Sequence, residues 1–213
     1  MKIPNKHMLS FAALAASLLL LQGCATSRPG TIVGDTIVNP TVAFTGYRAH
    51  IPPGYAEIST ADMSGVTAAE RAEILEKFDM KAIGRSNVEV VDSFSFYSRE
   101  KKAFLLFGAA ELCIPGITFS SLPDNQRKAA LDMFQRGSVP GIRGTWRRIP
   151  SPGTGSILLT GDTKIGSARH GVALSITLGK TSEIFIIAGV SANSDPTAIS
   201  QDVAAMTSGI TLK

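Results

Sequence analysis

The sequence of 213 residues is poor in the side chains from which most metal and catalytic sites are built. It has two cysteines and three histidines. No H-x-x-x-H, H-E-x-x-H or paired-cysteine spacing occurs, so no zinc site is predicted. The G-x-S-x-G elbow of many hydrolases is also missing, and the glycine-rich stretches match neither a P-loop nor a calcium loop. The sequence therefore predicts no metal and no other cofactor, and it favours a protein that is not an enzyme.

Charge is scarce as well. Charged residues make up 18% of the chain and the formal net charge is +4. No basic stripe with interleaved aromatic residues occurs, so nucleic-acid binding is not predicted. Glycine, by contrast, is frequent, with 20 residues. This composition is typical of a β-rich exported domain with a packed core and not of a disordered chain.

What the sequence does contain is an export signal. Lys2 and Lys6 precede an uncharged, mostly apolar run from Met8 to Leu21. This run is shorter than the about twenty apolar residues that a helix needs to span a bilayer, and its length suits the h-region of a signal peptide. The run ends in Leu21-Gln22-Gly23-Cys24. This tetrapeptide resembles the lipobox of bacterial lipoproteins.

The resemblance to bacterial lipoproteins implies cleavage between Gly23 and Cys24, followed by acylation of the Cys24 thiol and of its new amino group. Several acyl chains on one residue hold a protein to a bilayer effectively permanently. Ala25 follows the cysteine. In enterobacterial lipoproteins this implies sorting to the outer membrane, with the domain facing the periplasm. The alternative is an ordinary signal peptide, or an uncleaved anchor, that contains a cysteine by chance.

Three segments are predicted along the chain: a signal peptide over 1–23, a lipidated N-terminus and tether over 24–40, and one domain over 41–213. The tether could reach roughly 50 Å at about 3.3 Å per residue, and Ile32-Val33 and Ile37-Val38 are apolar enough for part of it to pack on the domain. Cys113 lacks an intramolecular partner if Cys24 carries lipid. We interpret it as a small buried apolar residue, and a reactive thiol is the alternative.

The domain is predicted to be α+β, with an antiparallel sheet of about five to seven strands covered by about three helices. A Thr67–Glu70 capping box indicates the start of the first helix. The predicted strands cover 41–49, 88–97, 102–112, 156–160, 171–179 and 183–190, and the predicted helices cover 67–82, 121–134 and 196–207.

A second resemblance concerns the fold. The early strand that runs into Arg48-Ala-His-Ile-Pro-Pro-Gly-Tyr55, with a late hairpin and a terminal helix, resembles the PsbP-like α/β/α sandwich over residues 41–210. Bacterial members of that group are often lipoproteins. The group has no universal catalytic residues, so the resemblance implies a fold but no reaction.

Four residues form the first candidate contact surface: Arg143, Trp146, Arg147 and Arg148. They lie in 137–156, a stretch rich in glycine and proline that is predicted to be irregular. Such residues could contact an anionic ligand, a glycan or a lipid headgroup. The alternative is a strand whose tryptophan packs inward while its arginines face water.

The second candidate is histidine chemistry. His170, near Arg169, Asp162 and Lys164 in the sequence, and His50 could handle protons, but exposed positions without a role are expected more often. The sequence therefore favours a lipid-anchored cell-envelope module that binds a protein partner or an envelope component. The alternative is a hydrolase-like envelope enzyme that uses a histidine near a loop cleft. The oligomeric state stays open.

Overall fold

The structure is a computed structural model that describes residues 30–40, 46–59, 61–78, 88–112, 116–136 and 141–213. The predicted signal peptide, Gly23, Cys24 and Cys113 lie outside these ranges. The described strands are β1 (Thr31–Val33), β2 (Thr36–Asn39), β3 (Tyr47–His50), β4 (Ala56–Glu57), β5 (Val88–Ser98), β6 (Ala103–Leu112), β7 (Ile142–Ile149), β8 (Gly155–Ile165), β9 (Ala168–Leu178), β10 (Glu183–Ser191) and β11 (Ile210–Leu212). The described helices are α1 (Ala68–Lys77), α2 (Asp124–Arg136) and α3 (Thr197–Ser208).

The long apolar runs of the sequence form one antiparallel sheet of seven strands in the order β4-β5-β6-β10-β9-β8-β7. Strand β10 lies near its centre and is buried along its whole length. A strand covered on both faces needs apolar or small side chains at every position, which explains the continuous run Ile184–Val190. Helices and antiparallel sheets together confirm the predicted α+β class.

A second antiparallel sheet, of four strands in the order β1-β2-β3-β11, was not predicted. Its first two strands form a hairpin within the segment expected to be a tether, and the second of them, β2, pairs with β3. Ile37 is fully buried in the core. The folded part of the described chain therefore starts before residue 41, because the apolar pairs noticed in the sequence are short strands of the domain.

The helices begin near the predicted positions. The Thr67 hydroxyl accepts a hydrogen bond from the Glu70 backbone N–H at 3.2 Å, and the Glu70 carboxylate accepts one from the Thr67 N–H at 3.0 Å. This confirms the predicted capping box of α1; the predicted end of that helix lies outside the described residues. Helix α2 starts later than predicted, because a 3-10 turn over Phe119–Ser121 precedes it.

The seven-stranded sheet carries a different layer on each face. Helices α1 and α2 cover one face, where Ile74 and Leu131 pack against apolar side chains of the sheet. The four-stranded sheet and α3 cover the other face, where Tyr47 and Phe185 meet. We call these the helical face and the mixed face. Alternate residues of each long strand point to the two faces, so the layers fix which side chains can meet in a site.

Part of the stretch 137–156 is more regular than predicted. The sequence predicts an irregular segment here, but Ile142–Ile149 form β7, one of the two edge strands of the large sheet. Glycine and proline flank this strand at both ends, and they obscured the alternation within it.

Candidate functional site

A pocket of about 340 Å³ opens on the helical face. It lies between the segment that leads into α1, the turn from β5 to β6, and the adjoining ends of β9 and β10. Its volume falls in the range of about 300–1,000 Å³ that is usual for small-molecule sites. Three parts of the chain that are far apart in sequence build it, and its chemistry depends on what each of them contributes.

The inner wall of the pocket is apolar. Phe104 of β6 and Val190 of β10 come from the sheet, and Ile74 comes from the buried side of α1. Tyr97 of β5 adds its ring, which packs against Phe104 with centroids 4.9 Å apart. Burial is the first cause that raises the pKa of the Tyr97 hydroxyl, so this group stays a neutral hydrogen-bonding group at physiological pH.

His170 of β9 lies in the pocket and is only 9% exposed. The expectation that it faces solvent at a strand end is wrong, because it projects to the helical face beneath the segment that leads into α1. Its Nδ1 lies 3.1 Å from the Ser191 carbonyl oxygen. A carbonyl oxygen can only accept, so Nδ1 carries the proton of this bond. In the neutral ring Nε2 then keeps the free lone pair.

Glu70 brings a carboxylate to the same pocket. The pKa of Glu70 is lowered, first by the hydrogen bond from the Thr67 backbone N–H, then by that from the Thr67 hydroxyl, and further by His170. The carboxylate that caps α1 is therefore ionised at neutral pH and lies within electrostatic reach of the imidazole.

Two cations stand at the rim of the pocket, on the turn from β5 to β6: Arg99 and Lys102. Arg99 pairs with Asp62 at 2.5 Å. The ion pairs found among the described residues do not include Lys102.

The backbone at Lys102 is unusual. Its φ is 48°, in the left-handed region that glycine normally occupies, and for other residues this region costs about 1–2 kcal/mol. Hydrogen bonds hold the turn: the Lys102 N–H donates to the Arg99 carbonyl at 3.3 Å, and the Lys102 carbonyl accepts from the Ala192 N–H at 2.9 Å. The turn is thus tied to the end of β10, and a basic side chain is carried at a strained position beside the pocket.

The four residues of the first candidate surface do not lie together. Trp146 is half-buried and packs against the core of the helical face, and on the same side Arg148 lies 3.6 Å from Asp132 of α2. Arg143 and Arg147 are exposed, and the strand alternation places them on the opposite side of β7. This geometry corresponds to the alternative of an inward tryptophan with arginines in water.

The remaining histidine candidates also separate. His50 lies on β3 with a largely exposed side chain, 3.7 Å from Asp35. Arg169 lies 3.8 Å from Asp162, as the sequence cluster suggested, but strand alternation directs it away from His170. His170 is therefore the one predicted candidate that the described structure places in the pocket.

Asp92 of β5, which the sequence did not single out as a candidate, is a buried carboxylate with 3% of its surface exposed. It accepts hydrogen bonds from the Asn39 amide at 2.7 Å, from the Gly30 backbone N–H at 2.5 Å, and from the Tyr47 hydroxyl. Burial, and then the charge of Asp92, raise the pKa of Tyr47 far above its usual range. Because three donors surround this carboxylate and tie the four-stranded sheet to β5, we interpret it as a structural group.

Fold and pocket together define an α+β domain with a small amphipathic pocket on its helical face. No protein-family model and no curated protein matches the sequence. Among solved structures, the chain is similar to LpqN, which is involved in cell envelope biogenesis of Mycobacterium tuberculosis, with a TM-score of 0.41 and 8% identity over 61% of this chain and 80% of that one. At this TM-score and identity, the similarity establishes neither a family nor a function.

Two further observations concern the described ranges only. No helix there has the length and apolar character needed to cross a bilayer. No group of three or more histidine, cysteine, aspartate or glutamate side chains there is arranged to hold a metal ion.

Proposed function

We propose that this protein is a lipid-anchored binding module of the bacterial cell envelope, attached through acylated Cys24 to the outer membrane on its periplasmic side. The observation that carries the proposal is the sequence Leu21-Gln22-Gly23-Cys24 at the end of a signal-like apolar run. An acylated cysteine at this position confines the domain to one membrane surface. A binding site on such a domain serves an envelope component or a protein that meets that surface.

The pocket on the helical face supplies a binding site. Like most small-molecule sites, it combines an apolar wall with a few polar groups that point into the same space. The hydrogen bond of His170 in the described structure goes to the backbone carbonyl of Ser191. This bond orients the ring as a fixed polar contact for a ligand.

Anchoring is tested by labelling cells of a Gram-negative host with radioactive palmitate and separating their membranes. We expect label in the wild-type protein, recovery with the outer membrane, and loss of both in Cys24→Ala. A wild-type protein that takes up no label, or that fractionates away from membranes, would contradict the anchor.

Binding is tested with a photo-crosslinking amino acid placed at Ser64, on the rim of the pocket, or at Lys128, which is exposed on α2. A defined adduct from Ser64 and none from Lys128, obtained only while Cys24 is intact, is the expected result. Equal adducts from both positions would show that the pocket is not the contact.

A second candidate function is an envelope hydrolase. One observation favours it: His170 and Glu70 line the same pocket, and the Nδ1 bond of His170 leaves Nε2 as the basic nitrogen of the neutral ring. In this case the purified protein would cleave some member of a panel of chromogenic esters, amides and phosphoesters. His170→Gln would abolish that cleavage, and the exposed His50→Gln would leave it unchanged. A panel with no turnover, or turnover that His170→Gln does not affect, would exclude this use of His170.

A further inference from the structure

We propose that the pocket on the helical face binds a small anionic amphiphile, a molecule with one carboxylate or phosphate group and a short apolar part. This inference rests on the proposed binding function and names the ligand class of the same pocket. Four steps lead to it: the charge of the rim, the setting of Lys102, the apolar wall, and the fixed orientation of His170.

The charged groups of the pocket favour an anion. Arg99 and Lys102 face one carboxylate, that of Glu70. Glu70 is engaged by the N–H of Thr67 at 3.0 Å and by its hydroxyl at 2.8 Å, which satisfies one of its oxygens. Arg99 shares its charge with Asp62, but a guanidinium has five N–H donors, and this pair uses only part of them.

Lys102 is the group best placed to take the acid. Its side chain is exposed, and the backbone around it is held by hydrogen bonds to Arg99 and Ala192 at 3.3 and 2.9 Å. A held backbone limits the region that a flexible lysine side chain can search. A phosphate or carboxylate would therefore gain a charge-assisted hydrogen bond there without displacing an ion pair seen in the described structure.

The inner wall requires an apolar part of limited length. Phe104, Val190 and Ile74 present side chains that belong to the core of the helical face, and half-buried Val66 closes the side toward α1. Removing apolar surface of this kind from water stabilises a bound ligand. A ligand without an apolar part would leave this apolar wall in contact with water.

His170 completes the polar side. The bond from Nδ1 to the Ser191 carbonyl at 3.1 Å prevents the ring from turning away. Nε2 is left to exchange a hydrogen bond with the acid group of the ligand. The pocket therefore combines a mobile cation at the rim with an oriented ring inside, an arrangement that suits an acid entering with its apolar end toward the wall.

The test uses the full-length protein reconstituted in phosphatidylcholine nanodiscs, with empty nanodiscs subtracted. The probes are hexyl phosphate, hexanoate, hexan-1-ol and inorganic phosphate, and calorimetry gives the affinities. We expect one of the two amphiphilic acids to bind at least about tenfold more tightly than both hexanol and inorganic phosphate, the discrimination that one charge-assisted hydrogen bond provides. Ring signals of ¹³C-labelled histidine report the location: that of His170 should shift, and that of exposed His50 should not.

The variants follow from the backbone at residue 102. Asparagine tolerates the left-handed region, so Lys102→Asn removes the charge without new strain. This variant should bind the amphiphilic acid about tenfold more weakly. Lys102→Arg should retain binding. Lys128→Gln removes a charge outside the pocket and should change nothing.

Several outcomes would overturn the proposal. Hexanol that binds as well as the acids would refute recognition of an anion, and inorganic phosphate that binds as well would refute the amphiphile. A His50 shift without a His170 shift would place binding elsewhere, and no binding by any probe would reject the ligand class. None of these outcomes affects the palmitate and fractionation results, so the anchor and the ligand class fail independently.

Discussion

The sharpest stability prediction concerns Asp92. Replacement by alanine removes the acceptor of the Tyr47 hydroxyl, the Asn39 amide and the Gly30 N–H. Tyr47 and Asn39 are fully buried, so water cannot readily replace the carboxylate. The substitution acts at the junction of the two sheets, which is where the N-terminal hairpin joins the large sheet.

Two opposing effects determine how much the free energy of unfolding falls in Asp92→Ala. Hydrogen bonds to a charged group contribute about 1.5–3 kcal/mol each, and three of them are lost. In the opposite direction, burying a carboxylate costs several kcal/mol of desolvation, and the variant no longer has this cost because the charge is gone. The expected net loss in the free energy of unfolding is about 2–4 kcal/mol, a large part of the about 5–15 kcal/mol that stabilises a typical domain. For a chain of this length, the Tm should fall by about 4–16 °C.

Urea unfolding of the full-length protein in nanodiscs, followed by the fluorescence of Trp146, measures this loss. Ser93→Ala is the matched control, because Ser93 is the next residue of β5 and is exposed; it should change stability by less than about 0.5 kcal/mol. Tyr47→Phe combined with Asp92→Ala should show a coupling of about 1–3 kcal/mol. A loss below about 1 kcal/mol in Asp92→Ala, or additive effects in the double variant, would refute the reasoning.

Three further predictions concern packing, capping and titration. A β-carbon on Gly189 would lie 2.5 Å from Ile199, so Gly189→Ala should cost about 1–3 kcal/mol by overpacking β10 against α3, and unchanged urea unfolding would contradict that close approach. Thr67→Ala should cost about 0.5–2 kcal/mol through loss of the α1 cap, while Thr67→Ser should retain most of the stability in the same assay. Burial is the first cause that raises the pKa of Tyr47, Tyr55 and Tyr97, so their contribution to stability is complete below the unfolded pKa of about 10 and is lost as pH rises through the folded values. Alkaline titration should therefore show tyrosinate absorbance only together with unfolding, and free ionisation of all three in the folded protein near pH 10 would contradict it.

Strong periodicity made the long elements predictable. Val88–Ser98 and Ala103–Leu112 combine apolar alternation or continuous apolar sequence with a charged turn, and the Thr67–Glu70 pair is local enough to indicate a helix start. These signals depend on neighbours within a few residues, so the sequence alone contains them.

The rest depends on distant contacts. Thr31–Val33 and Thr36–Asn39 are too short to show a period. They become strands because β3 pairs with the second of them, which in turn pairs with the first. The burial of His170 depends on the segment before α1, about a hundred residues earlier in the chain, which no local pattern at residue 170 reveals. The close approach of α3 at Gly189 and the charge of Asp92 in the core have the same origin in packing between layers.

The N-terminal hairpin has a mechanical consequence. Because residues 31–39 form a hairpin of the domain, only five residues lie between Cys24 and Gly30. These six Cα–Cα steps set an upper limit of roughly 20 Å at about 3.3 Å per residue. With Cys24 acylated as proposed, the start of the domain stays within this distance of the bilayer. A partner must therefore come to the membrane to meet it. Any pull between bilayer and domain would reach the described structure at Gly30, whose N–H donates a hydrogen bond to Asp92 at 2.5 Å. The buried carboxylate is therefore one of the contacts that would resist it, together with the β1–β2 pairing.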